Sequence, residues 1–349
     1  METYLYMEKD DKFFWVILLS IFLVPLSGAF SSMTWKMQSD VLYVFLAILA
    51  SLGISKFTEK QCWWVLRAIV GLVVIQGIWV ILQTLGIDPL FSSKTNPALD
   101  LPFGFSGSPN QSGLFFGVTL PLVASVFPIA LPFSLYGLLC AKTTSVFIGV
   151  IISIITLCSF LYRKALKYIF VTLFVISILF FARFENINSS MISERYELYK
   201  YSTIAAWKGN IPLPQNGKIY IGICNPWFGF GFGNFERLSP INQDLYVKAA
   251  HRYRHAHNDY IEMFFEFGRV GLGVVLIFLI NFFWGFVRAA KTKLLVITFC
   301  CVLTQLISAL GIFTIHTATS GMLLVIFYGL YLSELRRLKN GYTRGVTKS

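Results

Sequence analysis

Three of the chain's four histidines, His251, His255 and His257, fall within one short stretch, interleaved with two arginines and followed by a long apolar run. His255-Ala256-His257-Asn258-Asp259 has the H-x-H-x-D outline of a metallohydrolase site, which needs three or four ligands closing on one ion. The only other histidines are His251 and His316, and His316 lies in a different connection. His251 and His255, four residues apart, can share a helix face, yet Arg252 and Arg254 interleave and repel a cation. No metal and no other cofactor is expected. The same residues suit acid–base chemistry. Asp259 followed by Glu262 makes a capping-box pattern with acid at a helix's positive end. His257 then sits just outside a helix N-terminus, where neutral imidazole is favoured, as a general base requires. A surface histidine without a role has the same spacing.

Candidate cations accompany this stretch. Ser193 to Asn210, "SERYELYKYSTIAAWKGN", reads as a helix capped by Ser193, with Leu198, Ile204 and Trp207 near one face. Arg195 stands in its first turn, unfavourable against the helix dipole, which suggests an anionic partner. Pairing with Glu194 or Glu197 is the plain alternative. Lys142, followed by Thr143, Thr144 and Ser145, lies between two apolar runs, where a lysine either meets an anion or snorkels. Arg252, Arg254 and Arg269 flank the histidine stretch and are further candidates. The loop "GFSGSPNQSG" from Gly104 runs into an apolar helix that Asn110 can cap, leaving N–H groups open to an anion. "FGFGFGNF", Phe228 to Phe235, lacks the spacing of a dinucleotide loop. Its glycines, alternating with aromatics, let a chain turn tightly at a membrane interface.

Tyr260, Phe264, Phe267 and Val270 recur at helical spacing and form an apolar stripe suited to a membrane surface.

These residues must be positioned by a chain that is 56% hydrophobic and only 13% charged, with a mean hydropathy of +0.67. Soluble domains carry about 25% charged residues. The apolar residues here come in blocks approaching the roughly 20 needed to cross a bilayer, so an all-α polytopic membrane protein is expected. Ten spans are read, at about 13–30, 41–55, 63–86, 112–127, 129–141, 145–162, 168–182, 270–288, 294–313 and 320–334. The proline-broken stretch 112–141 fits either one long kinked span or a re-entrant pair. The first block has a mixed-charge flank, so a retained helix is expected rather than a cleaved signal.

Lys56/Lys60/Arg67, Arg163/Lys164/Lys167, Arg288/Lys291/Lys293 and the basic tail alternate with connections carrying only Lys36, Lys94 or Lys142. Excess Lys/Arg marks the cytoplasmic side, which puts both termini inside. Much of the net charge of +12 is therefore topological and does not imply a nucleic-acid partner. Outside lie Asp88–Ser112 and a long loop, 183–269, with ten Lys/Arg against eight Asp/Glu. One membrane domain containing that loop, with short amphipathic helices in it, is expected.

These pieces together resemble one family. His257-Asn258, nine residues, then Gly268-x-x-Gly271 matches the H-[N/S/Q]-x9-G-x-x-G signature of the bacterial O-antigen ligase and polymerase superfamily, which includes protein O-oligosaccharyltransferases. "SGSPNQSG", a cation near 142, Arg195 with Trp207, and "NPWFGFGFGNF" (Asn225 to Phe235) follow that family's order over about residues 100–290. Two departures stand out. Lys142-Thr143 replaces the family's frequent Ser-Arg, and lysine lacks the planar fork that grips phosphate bidentately. Few residues follow the last span, whereas many protein-glycosylating members carry a long periplasmic portion there.

The resemblance implies a GT-C-like, metal-independent, inverting transferase at the periplasmic face of the bacterial inner membrane. It would move a glycan from an undecaprenyl-diphosphate donor to an acceptor hydroxyl, that of lipid A-core in a ligase. Alternatives are a repeat-unit polymerase, a protein O-oligosaccharyltransferase and, more distantly, a polysaccharide or lipid transporter. In the first three readings His257 is the base. Arg195 and Lys142, with Arg252, Arg254 and Arg269 in reserve, meet the diphosphate, and Asn110 and Asn258 contact other parts of the substrates.

Overall fold

The computed structural model describes residues 46–88, 102–106, 108–141, 143–162, 189–215, 218–238, 255–312, 314 and 318–346. The expected spans at 13–30 and 168–182 lie outside the described residues, as do Lys142, His251, Arg252, Arg254 and His316. What is described is mostly helical: α1 (Glu59–Thr84), α2 (Pro109–Val126), α3 (Leu131–Ala141), α4 (Thr144–Leu161), α5 (Ser189–Lys208), α6 (Asp259–Arg288), α7 (Lys293–Ser308) and α8 (Ala318–Val346). A single hairpin of β1 (Asn210–Gln215) and β2 (Lys218–Ile223) follows α5. Three helices, α1, α4 and α6, are long and apolar enough to cross a membrane, and the segments Pro128–Ala141 and Lys293–Ser308 are shorter apolar helices. The chain divides into two compact units: Met1–Ile48 with Asn188–Phe282, and Leu49–Ile187 with Phe283–Ser349.

In the second unit, small residues let helices approach closely, the usual basis of helix association without water. A Cβ on Gly149 of α4 would stand 2.7 Å from the Thr304 carbonyl of α7. One turn further along α4, Ser153 accepts a hydrogen bond from Thr304 at 2.8 Å. The proline-broken stretch forms two packed helices. Gly113 lies against Ala141 and Gly137 against Phe116, so α2 and α3 run antiparallel, joined by a 3-10 turn at Pro128–Ala130. Pro121 is accommodated inside α2. The eleven residues of α3 rise only about 16 Å, too little to span a hydrocarbon core of about 30 Å alone.

Opposite ends of these helices differ chemically. At one end, Arg337 of α8 forks onto buried Glu334 at 2.6 and 2.7 Å and reaches Glu59 of α1 at 2.8 Å. Thr292, which caps α7, donates to the same Glu334 at 2.6 Å. Lys291 donates to the Ala289 carbonyl at 2.7 Å. At the other end, Gln83 and Gln76 of α1 hold the loop before α2. Gln83 Oε1 accepts from the Phe103 and Gly104 N–H groups, and Gln76 bonds the Phe105 N–H, the Phe103 carbonyl and Ser106 Oγ. Ser145 packs against Gly311, and Thr143 against Gly113, at this end. Within this unit, Glu59, Thr292 and Arg337 therefore gather at one end of the described helices, and Gln83, Thr143 and Gly311 at the other.

The first unit has a core of its own. Leu198, Ala205 and Ala206 of α5, Ile211 of β1, Phe230 and Phe235, Ala256, and Phe264 and Phe265 of α6 pack together. Two expectations for this region change. Helix α5 has 20 residues and is not short, and the hairpin was not anticipated. The apolar stripe of α6 turns inward: Phe264 is buried in this core and Phe267 packs on Phe232 at 5.2 Å. Aromatic side chains that can bury against each other have no reason to lie on a membrane surface.

Candidate functional site

The histidine turn is built by the start of α6. The capping residue is Asn258, not Asp259: its Oδ1 accepts from the N–H groups of Tyr260 and Ile261, each at 3.1 Å. The boundary falls one residue early because His257 takes a left-handed backbone (φ 52), the only non-glycine to do so among the described residues. That conformation reverses the chain just ahead of Asn258, and it costs a non-glycine residue about 1 kcal/mol or more. The surroundings hold it. Tyr199 Oη donates to the His257 carbonyl at 3.3 Å. Glu262, almost fully buried, reaches back and accepts from the Ala256 N–H at 3.0 Å, and its other oxygen meets His255 Nδ1 at 2.9 Å.

His257 itself is neutral near pH 7. Burial, then the Arg195 guanidinium and then His255 push its pKa down to about 4, against an opposing pull from Glu262. Arg195 and Tyr199 are one turn apart on α5 and so share the face turned to the histidine. The reason first suspected for Arg195 does not hold, since α5 begins at Ser189 and Arg195 lies in its second turn. A different observation replaces it. Arg195 Nε is buried with no hydrogen-bond partner among the described residues, and no carboxylate there pairs with it; Glu197 instead meets Lys200 at 3.8 Å. A buried guanidinium nitrogen with an open donor favours an anionic ligand. Burial holds the Tyr199 hydroxyl above its ordinary pKa, which keeps it a donor.

Ten residues into α6 the helix breaks. Gly268 has φ 61 and ψ −152, a region essentially confined to glycine. A break frees backbone groups, and the glycine–aromatic segment satisfies them. Phe230 N–H donates to the Phe265 carbonyl at 3.0 Å and Gly231 N–H to that of Glu266 at 2.9 Å. In return, Arg269 N–H bonds the Pro226 carbonyl at 3.1 Å and Val270 N–H that of Trp227 at 3.0 Å. Gly229, Gly231 and Gly233 all have positive φ, the tight turning that the sequence suggests. The segment braces the helix from outside, and Glu266 Oε1 accepts from the Phe235 N–H at 3.1 Å to close the brace.

Of the residues singled out from sequence, the structure brings together His257, Asn258 and Arg195. Arg269 is placed elsewhere: its guanidinium stacks on Trp207 at 4.5 Å and Trp227 at 5.3 Å, just past the break. Asn110 belongs to the second unit. Ser108 caps α2 there, and Asn110, exposed at the second helical position, lines a small hollow with Gln111, Leu114 and Ile312. Ser108 precedes Pro109, whose ring favours the first helical position, so the serine rather than the asparagine is the capping residue. Among the described residues no three His, Cys, Asp or Glu side chains converge as metal ligands. Sequence reasoning missed Tyr199, Glu262's hold on His255, and Glu266. The only signal for Tyr199 was its place four residues after Arg195.

Comparison of the chain with protein-family models and with curated proteins returns no match.

Proposed function

We propose that the protein is a ten-span glycosyltransferase of the bacterial inner membrane, with both termini cytoplasmic and the histidine turn periplasmic. It transfers a glycan from an undecaprenyl-diphosphate donor to an acceptor hydroxyl, in the ligase reading that of a lipid A-core sugar. The observation that carries the reading is a neutral, half-buried His257 under the electrostatic influence of Arg195, whose buried Nε has no hydrogen-bond partner among the described residues.

The chemistry follows from that pair. The acceptor O–H proton passes to an imidazole nitrogen of His257 as the acceptor oxygen bonds the anomeric carbon. The bond from that carbon to the diphosphate oxygen breaks, and the lipid diphosphate leaves with the electron pair. Its growing negative charge is met by Arg195, whose contact is of the charge-assisted type contributing about 1.5–3 kcal/mol. Attack from the back face inverts the anomeric centre. Arg195→Lys is expected to lose nearly as much activity as Arg195→Ala, because a point charge cannot reproduce the planar fork. Transfer measured in membranes from donor-supplied cells tests this, and wild-type rates in the lysine variant would show that charge alone suffices.

The pH dependence has a definite sign. Because His257 is depressed to about 4, kcat/KM should stay level from neutrality down through mild acid and fall as pH approaches 4 and the base becomes protonated. A donor diphosphate beside Arg195 offsets the guanidinium's effect on the imidazole. The acid limb of kcat should then lie at higher pH than that of kcat/KM. A limb near 6.5 in kcat/KM would mean that His257 is not the group titrating. Activity should also be undiminished in excess chelator, whereas loss reversed by added divalent ion would point to metal-assisted transfer.

A further inference from the structure

A glutamate near a helix start ordinarily reaches the N–H of the capping residue itself. Glu262 reaches two residues further back. Its Oε2 accepts from the Ala256 N–H at 3.0 Å, and its Oε1 meets His255 Nδ1 at 2.9 Å. The Glu262 side chain is 1% exposed and that of His255 27%. All of these groups belong to one compact unit. A carboxylate can only accept, so Nδ1 is the donor to Oε1. Neutral His255 therefore carries its single proton on Nδ1, and the lone pair is left on Nε2. A buried carboxylate on one ring nitrogen fixes the tautomer and stabilises the imidazolium that forms when the other nitrogen takes a proton.

His257 needs such a neighbour. With its pKa lowered to about 4, its imidazolium is a far stronger acid than an ordinary one, and the proton must be passed on before the next turnover. The charged groups that act on it are Arg195, His255 and Glu262. An arginine cannot take a proton, and both Glu262 oxygens already accept hydrogen bonds. His255 remains. We propose that Glu262 and His255 form a proton relay behind His257: Glu262 positions His255 with its proton on Nδ1, and Nε2 receives the proton that His257 takes from the acceptor hydroxyl. The relay step breaks the N–H bond on His257 and forms one on His255 Nε2, directly or through a water. His257 returns to neutral imidazole, and the Nε2 proton then leaves to solvent. Nothing is oxidised or reduced. The relay rests on the reading of His257 as the base. Glu262 acts only through His255 and is a positioning residue.

Glu262→Gln reverses the tautomer with little change of shape. Its amide oxygen can accept from the Ala256 N–H, and its NH2 must then donate to Nδ1, which moves the His255 proton to Nε2. Nuclear magnetic resonance of the full-length protein in lipid nanodiscs, isotopically labelled at its histidine ring nitrogens, reads this without turnover. The His255 signals, identified by their loss in His255→Gln, are expected to show a protonated Nδ1 and a bare Nε2 at neutral pH. In Glu262→Gln the two should exchange. In transfer assays both variants should lose about a hundred-fold in kcat, with KM within about threefold of wild type. The double variant should be no slower than either single one, because the two residues act in one path. A bare Nδ1 or a fully protonated ring in the wild type would overturn the relay. So would a Glu262→Gln variant that is slow with its tautomer unchanged, or a kcat in either variant within about threefold of wild type. Active relay variants beside an inactive His257→Ala would sink the relay alone. Activity in His257→Ala would instead remove the base on which the relay depends. If Glu262→Gln fails to accumulate, His255→Gln keeps the carboxylate and its bond to Ala256 and carries the kinetic comparison.

Discussion

Glycan transfer is expected to be abolished in His257→Ala while the protein accumulates in the membrane at its normal level. Removing a positioned base costs about a hundred- to ten-thousand-fold in rate. Little structural loss should accompany it, because the His257 carbonyl, the Asn258 side chain and Glu262 hold the turn. The left-handed backbone at this position offers a control. His257→Gly relieves that strain and should be at least as well folded as the wild type, yet equally inactive. Transfer is followed by the shift of acceptor mobility on gels, with protein amount read by immunoblot. Activity above a tenth of wild type in either variant would remove His257 from the role of base.

Gly268→Ala is expected to have the largest effect on folding. The backbone there occupies a region that side chains avoid, and a Cβ would stand 2.5 Å from the Pro226 carbonyl oxygen and 2.6 Å from the Gly229 nitrogen. Both are backbone atoms in the brace, so neither can rotate away. Relief requires parting the hydrogen bonds that Arg269 and Val270 make to Pro226 and Trp227. A loss of about 3–5 kcal/mol follows, with the transition of detergent-solubilised protein lowered by roughly 5–10 °C. Gly273→Ala, five residues on, meets nothing within 4 Å and should melt like the wild type. Equal stability of the two variants would show that the break is not held by close backbone contact.

How far the site could be read beforehand varied with the range of the forces involved. Asn258 and Asp259 are equally able to cap a helix, and the choice fell to the backbone of His257, which Tyr199 and Glu262 hold from other parts of the chain. The hairpin was legible in principle. Asn216-Gly217 is a strong two-residue turn signal, and the paired register Gln215↔Lys218 brackets it. Pro212 and Pro214 obscured it, because proline is tolerated only at a sheet's edge, and both strands of a lone hairpin are edges. The glycine–aromatic run displayed its turns but not its partner. A segment that satisfies a broken helix has no periodicity of its own to announce it.

Local composition and spacing were enough to establish the mostly helical, apolar character of the chain and the helix that starts just after the histidine stretch. Each depends on a residue's own chemistry or on neighbours a few positions away. Tertiary structure alone decided that Arg195 faces His257 while Arg269 is taken up by two tryptophans, and that buried Glu262 and Glu266 hold backbone N–H groups. Those outcomes depend on which groups are left unsatisfied once the chain has closed on itself, and sequence order carries no measure of that.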